Sequence, residues 1–95
     1  MASEHSINKQ TAAIMARIIC TEKADWSVQA ARDFLRLRFA DEDADRFHEL
    51  LGKHYGGTLT ADEEIALNIY MFVNCFVELL HERARRSLAQ AEAHP

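Results

Sequence analysis

The chain has 95 residues, 48% of them hydrophobic and 27% charged, and this balance excludes wholesale disorder. A chain this long forms one domain and buries roughly 60–68% of its unfolded surface, enough to fold alone with a modest margin. The formal charge of −4 is spread unevenly: from Asp41 to Glu64 eight acids stand against two bases, whereas Met1 to Ala40 carries six bases and four acids. An acidic middle repels nucleic acid, so no nucleic-acid partner is expected.

The elements follow from apolar spacing and stop signals. The only proline is the last residue and there are three glycines, which favours uninterrupted helices. After a flexible terminus over residues 1–6, a first helix is predicted from Ile7 to Thr21, with Ile7, Ile14, Met15, Ile18 and Ile19 on one stripe. The β-branched run Ile18-Ile19-Cys20-Thr21 has no partner strand, so it is read as helix. A turn over Glu22–Trp26 leads to Ser27, a good N-cap for a second helix from Val28 to Arg38. Its inner face is Val28, Ala31, Leu35 and Phe39, with Phe34 at the edge.

A third helix is predicted over Asp41–Tyr55. Asp41, Glu42, Asp43 and Asp45 complement the positive end of its dipole, and Ala44, Phe47, Leu51 and Tyr55 form its stripe, with Leu50 and His54 beside it. His54 is read as a packing residue, not a ligand. Gly56-Gly57 stops the helix, one of the pair in the left-handed conformation. Thr60-Ala61-Asp62-Glu63 fits a capping box and opens a fourth helix that nothing breaks before Ala89. The domain is thus placed at residues 7–89, with a flexible tail over 90–95. Arg83, Arg85 and Arg86 are read as cations at the helix C-terminus.

The run Leu35–Leu88 carries further features: Arg46-Phe47-His48-Glu49-Leu50, then Lys53, then Gly57-Thr58-Leu59-Thr60-Ala61-Asp62-Glu63-Glu64, and finally Leu79-Leu80-x-x-x-Ala84-Arg85-x-Ser87-Leu88. It resembles a group of small uncharacterised bacterial helical proteins sharing a GTLT-x-E-E phrase and a long helix ending in AR-x-SL. The resemblance implies an antitoxin-like or accessory partner of another protein and carries no catalytic residue across. The chain differs from that group in Ile65–Val77, which is apolar where the others are rich in glutamate.

The fourth helix is the most informative element. Ile65, Ile69, Phe72, Phe76, Leu79 and Leu80 form a broad stripe, and Ala66, Tyr70, Met71, Val73 and Val77 extend it most of the way round. Asn74, Glu78, His81 and Arg85 make a narrow polar strip opposite. A helix apolar on several sides must be covered on several sides. Ile69, Phe72, Val73, Phe76 and Leu80 are therefore the expected interface, divided between the core and a contact with another chain. Asn68 and Asn74 are expected to fix the register of that contact.

No motif for chemistry stands out. Asp45-x-x-His48 and Glu78-x-x-His81 have the i, i+3 spacing of metal ligands on bundle helices, but both pairs lie off the apolar stripes and no further inward glutamates join them. They are read as solvated pairs, and no metal, cofactor or catalytic residue is expected. Gly56-Gly57 lacks the spacing of a phosphate loop, and two distant cysteines cannot make a zinc site. Nothing marks Cys75 as an activated nucleophile. Cys20 and Cys75 are expected to be buried, inert thiols of a reducing, cytoplasmic setting. Met1–Ser6 lacks a secretion signal. The run Ile65–Leu80 is too short to span a bilayer and contains Asn68, Asn74 and Glu78, so no membrane is expected.

Together these features point to an all-α helical bundle of three short helices and one long C-terminal helix. Its expected function is a non-enzymatic, oligomerising protein-interaction module, with antitoxin-like, inhibitor or adaptor as the finer form. Its partners are itself and another protein. The alternative is a metal- or small-molecule-binding bundle, including an enzyme whose site forms between chains.

Overall fold

The computed structural model describes residues 9–21 and 23–93. Among them all regular structure is helical: α1 spans Lys9–Ile19, α2 Val28–Leu35, α3 Asp41–Gly56 and α4 Ala61–Ala93. The all-α class with three short helices and one long C-terminal helix is what forms. The expected helix residues Ile7 and Asn8 lie outside the described residues.

Local chemistry accounts for the boundaries. The Ser27 hydroxyl accepts from the amide of Ala30 at 3.1 Å and opens α2. That helix ends before the expected Arg38. The Arg36 and Leu37 amides donate to Asp33 and Phe34 carbonyls at 3.1 Å, a tight closing turn that frees Phe39 to leave the helix axis. No side chain caps α3 at Ala40, but Asp41, Glu42 and Asp43 fill its first turn. Gly57 ends it with φ of 72°, and its amide and that of Thr58 donate to His54 and Lys53 carbonyls at 3.1 and 3.0 Å. Gly56 stays helical.

The capping box of α4 is reciprocal: Glu63 N–H donates to the Thr60 hydroxyl at 3.2 Å, and Thr60 N–H to the Glu63 carboxylate at 3.0 Å. The helix continues past Ala89 to Ala93 through good helix formers. No basic residue therefore occupies its last turn. Arg83, Arg85 and Arg86 do not cap the dipole, and Arg83 serves instead as an internal strut described below.

α4 is the spine. Among the described residues each short helix packs on it, and no two short helices pack on each other. With 33 residues it is about 50 Å long, nearly the whole 52 Å extent of the molecule. The radius of gyration is 16.0 Å, against about 12 Å for a compact domain of this length.

Helices α1 and α3 turn inward faces rotated from their predicted apolar stripes, and α2 departs only at Val28. On α1, Ile19 is buried, but Ile14 and Ile18 are exposed, and the covered side runs through Ala12, Met15 and Ala16. On α3, Leu50 is the buried centre, with Phe47, Leu51 and His54 around it. Ala44 is exposed and Tyr55 is 83% exposed. On α2, Ala31 is buried and Phe34 half-buried, whereas Val28 is exposed. The observed side lies roughly 80° from the predicted stripe on α1 and roughly 60° from it on α3, whereas α2 keeps its predicted face through Ala31 and Leu35.

Candidate interaction surface

The first half of α4 carries α3. Leu50 and Leu67 are both fully buried. The Tyr70 hydroxyl donates to the Asp43 carboxylate at 2.6 Å. The Tyr70 ring stacks on Phe47, and Phe39 meets both edge-on, all three with centroids 5.7 Å apart. This is why Phe39 leaves α2. Beyond Leu67, Lys53 pairs with Glu63, tying the end of α3 to the start of α4. That ion pair, with the amide and hydroxyl of Thr60, lowers the Glu63 pKa to about 2. The Asp43 carboxylate, with desolvation, raises the pKa of Tyr70.

The second half carries α2 and the end of α1. The Cys20 thiol donates to the Leu79 carbonyl at 3.5 Å. Arg83 reaches the Ile19 carbonyl at 3.2 Å and Asp25 at 3.3 Å, with its guanidinium 4.6 Å above the Trp26 ring. Trp26 in turn stacks on Phe34 at 4.4 Å, and its backbone amide donates to the Ser87 hydroxyl at 3.3 Å. An imidazole nitrogen of His81 bonds the Leu37 carbonyl at 2.9 Å. Ala31 and Ala84 are fully buried, small residues that let α2 approach α4 closely.

These two halves treat one side of α4 differently. Eighteen residues make about five helical turns, so Arg83 lies above Ile65 and Ser87 above Ile69 on the same side of the helix. Ser87 is 2% exposed and the Arg83 side chain 18%. Ile65 and Ile69 are 61% and 59% exposed. Phe72, Val73 and Phe76 continue the open stripe towards the covered end, and they too are exposed. No charged residue lies between Glu64 and Glu78. The result is a dehydratable strip about four turns long on a helix whose opposite side is already packed.

The expected interface residues fall on this strip. Ile69, Phe72, Val73 and Phe76 are exposed, and Leu80 is half-buried where the strip meets the covered half. Ile65, the most exposed of the strip, belongs with them. The polar strip opposite is partly drawn in: Asn74 donates to Glu78 at 3.3 Å and His81 holds the connector after α2. The Asn68 Oδ1 is buried without a hydrogen-bond partner.

The four residues weighed as metal ligands are scattered. Asp45 and His48 are exposed on α3, Glu78 is exposed on α4, and His81 is spent on Leu37. Among the described residues no three His, Cys, Asp or Glu side chains gather where they could hold a metal ion. An open depression of about 470 Å³ is lined by Cys75, Glu78, Leu79, His81, Glu82 and Arg85. Its basic and acidic groups are largely paired with each other or with backbone, Arg85 with Glu82 at 3.8 Å. Cys20 and Cys75 are free and half-buried, not fully buried as expected. Desolvation, with the nearby Glu78 charge, raises the Cys75 pKa and keeps the thiol protonated.

By length and composition alone, α4 is long and apolar enough to cross a membrane, and little of its most apolar stretch is buried. The side facing α3, however, is committed to polar ties at Glu63 and Tyr70. No family model, no curated protein and no solved structure matches the chain.

Proposed function

We propose that the chain is a non-enzymatic, oligomerising protein-interaction module that joins protein chains through the open strip of α4. The observation that carries this is the exposure of Ile65, Ile69, Phe72, Val73 and Phe76 on a side of the helix that is covered five turns on. Burying an aromatic or branched aliphatic side chain stabilises by roughly 1.5–3 kcal/mol, so a small domain that leaves five of them in water forgoes much of its margin. Contact with another chain recovers it.

The finer reading is an antitoxin-like, inhibitory or adaptor protein. The Gly57–Glu64 phrase and the Ala84-Arg85-x-Ser87-Leu88 ending support it through their resemblance to accessory bacterial proteins. Two free thiols support a reducing, cytoplasmic setting.

The test is solution mass and its loss on charging the strip. At micromolar concentration, light scattering is expected to give a multiple of the 10.8 kDa chain mass. Phe72→Glu is expected to return the monomer with circular dichroism unchanged. Were the wild type monomeric and instead sedimenting with neutral phosphatidylcholine vesicles, the strip would be a lipid surface and the reading would fall.

A further inference from the structure

Resting on the reading of the strip as a protein contact, we infer that its occupant is a second copy of this chain, with the two α4 helices crossing antiparallel about a two-fold axis beside Phe72. Three observations converge on that occupant and that direction.

The first is area. The accessible surface is 6850 Å², against roughly 5,500 Å² for a compact monomer of 10.8 kDa, an excess of roughly 1,300 Å². A specific interface removes about 800 Å² from each partner. A self-complementary contact of that size fits within the surplus, part of which belongs to the 52 Å length of the molecule.

The second is steric. On the strip's side, α4 is open over Ile65–Phe76 and covered over Leu79–Ser87 by Trp26, the end of α1 and α2. Parallel pairing would bring the two covered halves against each other and hold the open halves apart. Antiparallel pairing sets each copy's covered half beyond the end of its partner's open half. About a two-fold axis next to Phe72, Phe72 meets Val73 of the other copy and Ile69 meets Phe76. Ile65 then reaches the other copy's Leu80, which is half-buried at the border of the covered region. Every apolar member of the strip finds an apolar counterpart, as an isologous contact requires.

The third is charge. The first half of α4 begins in the acidic segment and carries α3, so Asp41–Glu64, with eight acids and two bases, lies at that end of the molecule. In the covered half Arg83, Arg85 and Arg86 are balanced by Glu78, Glu82 and Glu92, and it packs the chain's more basic first segment, with its six bases and four acids. Antiparallel crossing sets the acidic end of each copy towards the more basic end of the other. Parallel crossing sets acid against acid. Potentials of opposite sign favour the first arrangement and penalise the second.

The experiment measures mass and direction separately. In a Cys20→Ser/Cys75→Ser background, Gln90→Cys is spin-labelled on the exposed last turns of α4, and interchain distances are read by pulsed electron resonance. Residue 90 lies about 27 Å along the axis from the proposed two-fold, so antiparallel labels are expected roughly 50 Å apart, whereas parallel helices would hold them within about 25 Å. Labels on Asp62→Cys are expected at about 30 Å by the same geometry. If the serine background lowers helicity, Cys20→Ala/Cys75→Val carries the same labels. A dimeric mass with the long Gln90 distance supports the inference. A dimeric mass with a short Gln90 distance overturns the antiparallel arrangement and leaves the strip as a contact surface. A monomeric mass at tens of micromolar overturns the second-copy occupant itself, and with it the self-association on which the proposed function rests.

Discussion

Ile65 and Ile69 occupy the same side of α4 as Arg83 and Ser87, yet the first two face solvent and the second two are covered. The apolar pair is outside and the polar pair is inside. Hydrophobicity along one helix therefore does not decide what is buried; the connectors do. α2 and the end of α1 are brought to the second half by Trp26, which stacks on Phe34 and lies under Arg83. Bonds from Arg83 to the Ile19 carbonyl and Asp25 and from the Trp26 amide to Ser87 offset most of the cost of burying them, although the Arg83 Nε is left buried without a partner. α3 approaches the first half from another side and leaves the strip open. A small chain with three short helices has enough cover for α4 on one side at each end, and no more.

The comparison can be broken or sharpened by substitution, from the largest effect down. Leu67→Ala removes a fully buried side chain from the α3 contact and is expected to cost about 2–5 kcal/mol by urea denaturation, at any protein concentration. Ile69→Ala, one helical face away, is expected to cost under about 0.5 kcal/mol at nanomolar concentration and more as concentration rises. Equal losses for the two at high dilution would mean the strip is already buried within one chain.

Tyr70→Phe keeps the ring stack with Phe47 and loses the bond to Asp43. It is expected to lower stability by about 1.5 kcal/mol, read from the same denaturation curves. Thr60→Ala takes away the hydroxyl half of the capping box and is expected to cost about 1 kcal/mol. An unchanged melting temperature would show that the first turn of α4 is held by packing alone.

The smallest expected effect is the dependence on pH. Glu63 titrates near pH 2 when folded and near 4.5 when free, so between those values the unfolded chain binds the extra proton. Its contribution is full above pH 4.5 and fades as pH falls towards 2. Glu63→Gln is expected to flatten the melting temperature across that window. At the alkaline end the sign is opposite. The raised pKa of Tyr70 contributes stability below the ordinary tyrosine value of 10.0, and that contribution is lost as pH climbs through the folded value. Tyr70→Phe is expected to remove that alkaline slope.

The candidate surface was only partly legible in the sequence. The excess of apolar residues round the fourth helix marked it as needing more cover than three short helices give, and Ile69, Phe72, Val73 and Phe76 are exposed. Leu67 escaped notice because it stands outside the main stripe, flanked by Ala66 and Asn68. Ser87 and Arg83 do not read as buried because both are polar, and only the five-turn recurrence with Ile65 and Ile69 links them to the strip.

What the sequence determined by itself is the set of helices, the starts of α2 and α4 and the stop of α3. Ser27, Gly57 and the Thr60–Glu63 pair act through bonds to amides and carbonyls a few residues away, so their effect is written locally. What only the tertiary structure decided is which face of each helix turns inward. In α1 and α3 apolar residues occupy more than one side, and a period of 3.6 fixes a helix without fixing its rotation. That rotation is set by contacts between residues far apart in the chain: Phe39 with Tyr70, Trp26 with Arg83, Leu37 with His81. Those distant contacts leave Ile65 and Ile69 in water and draw Arg83 and Ser87 under cover.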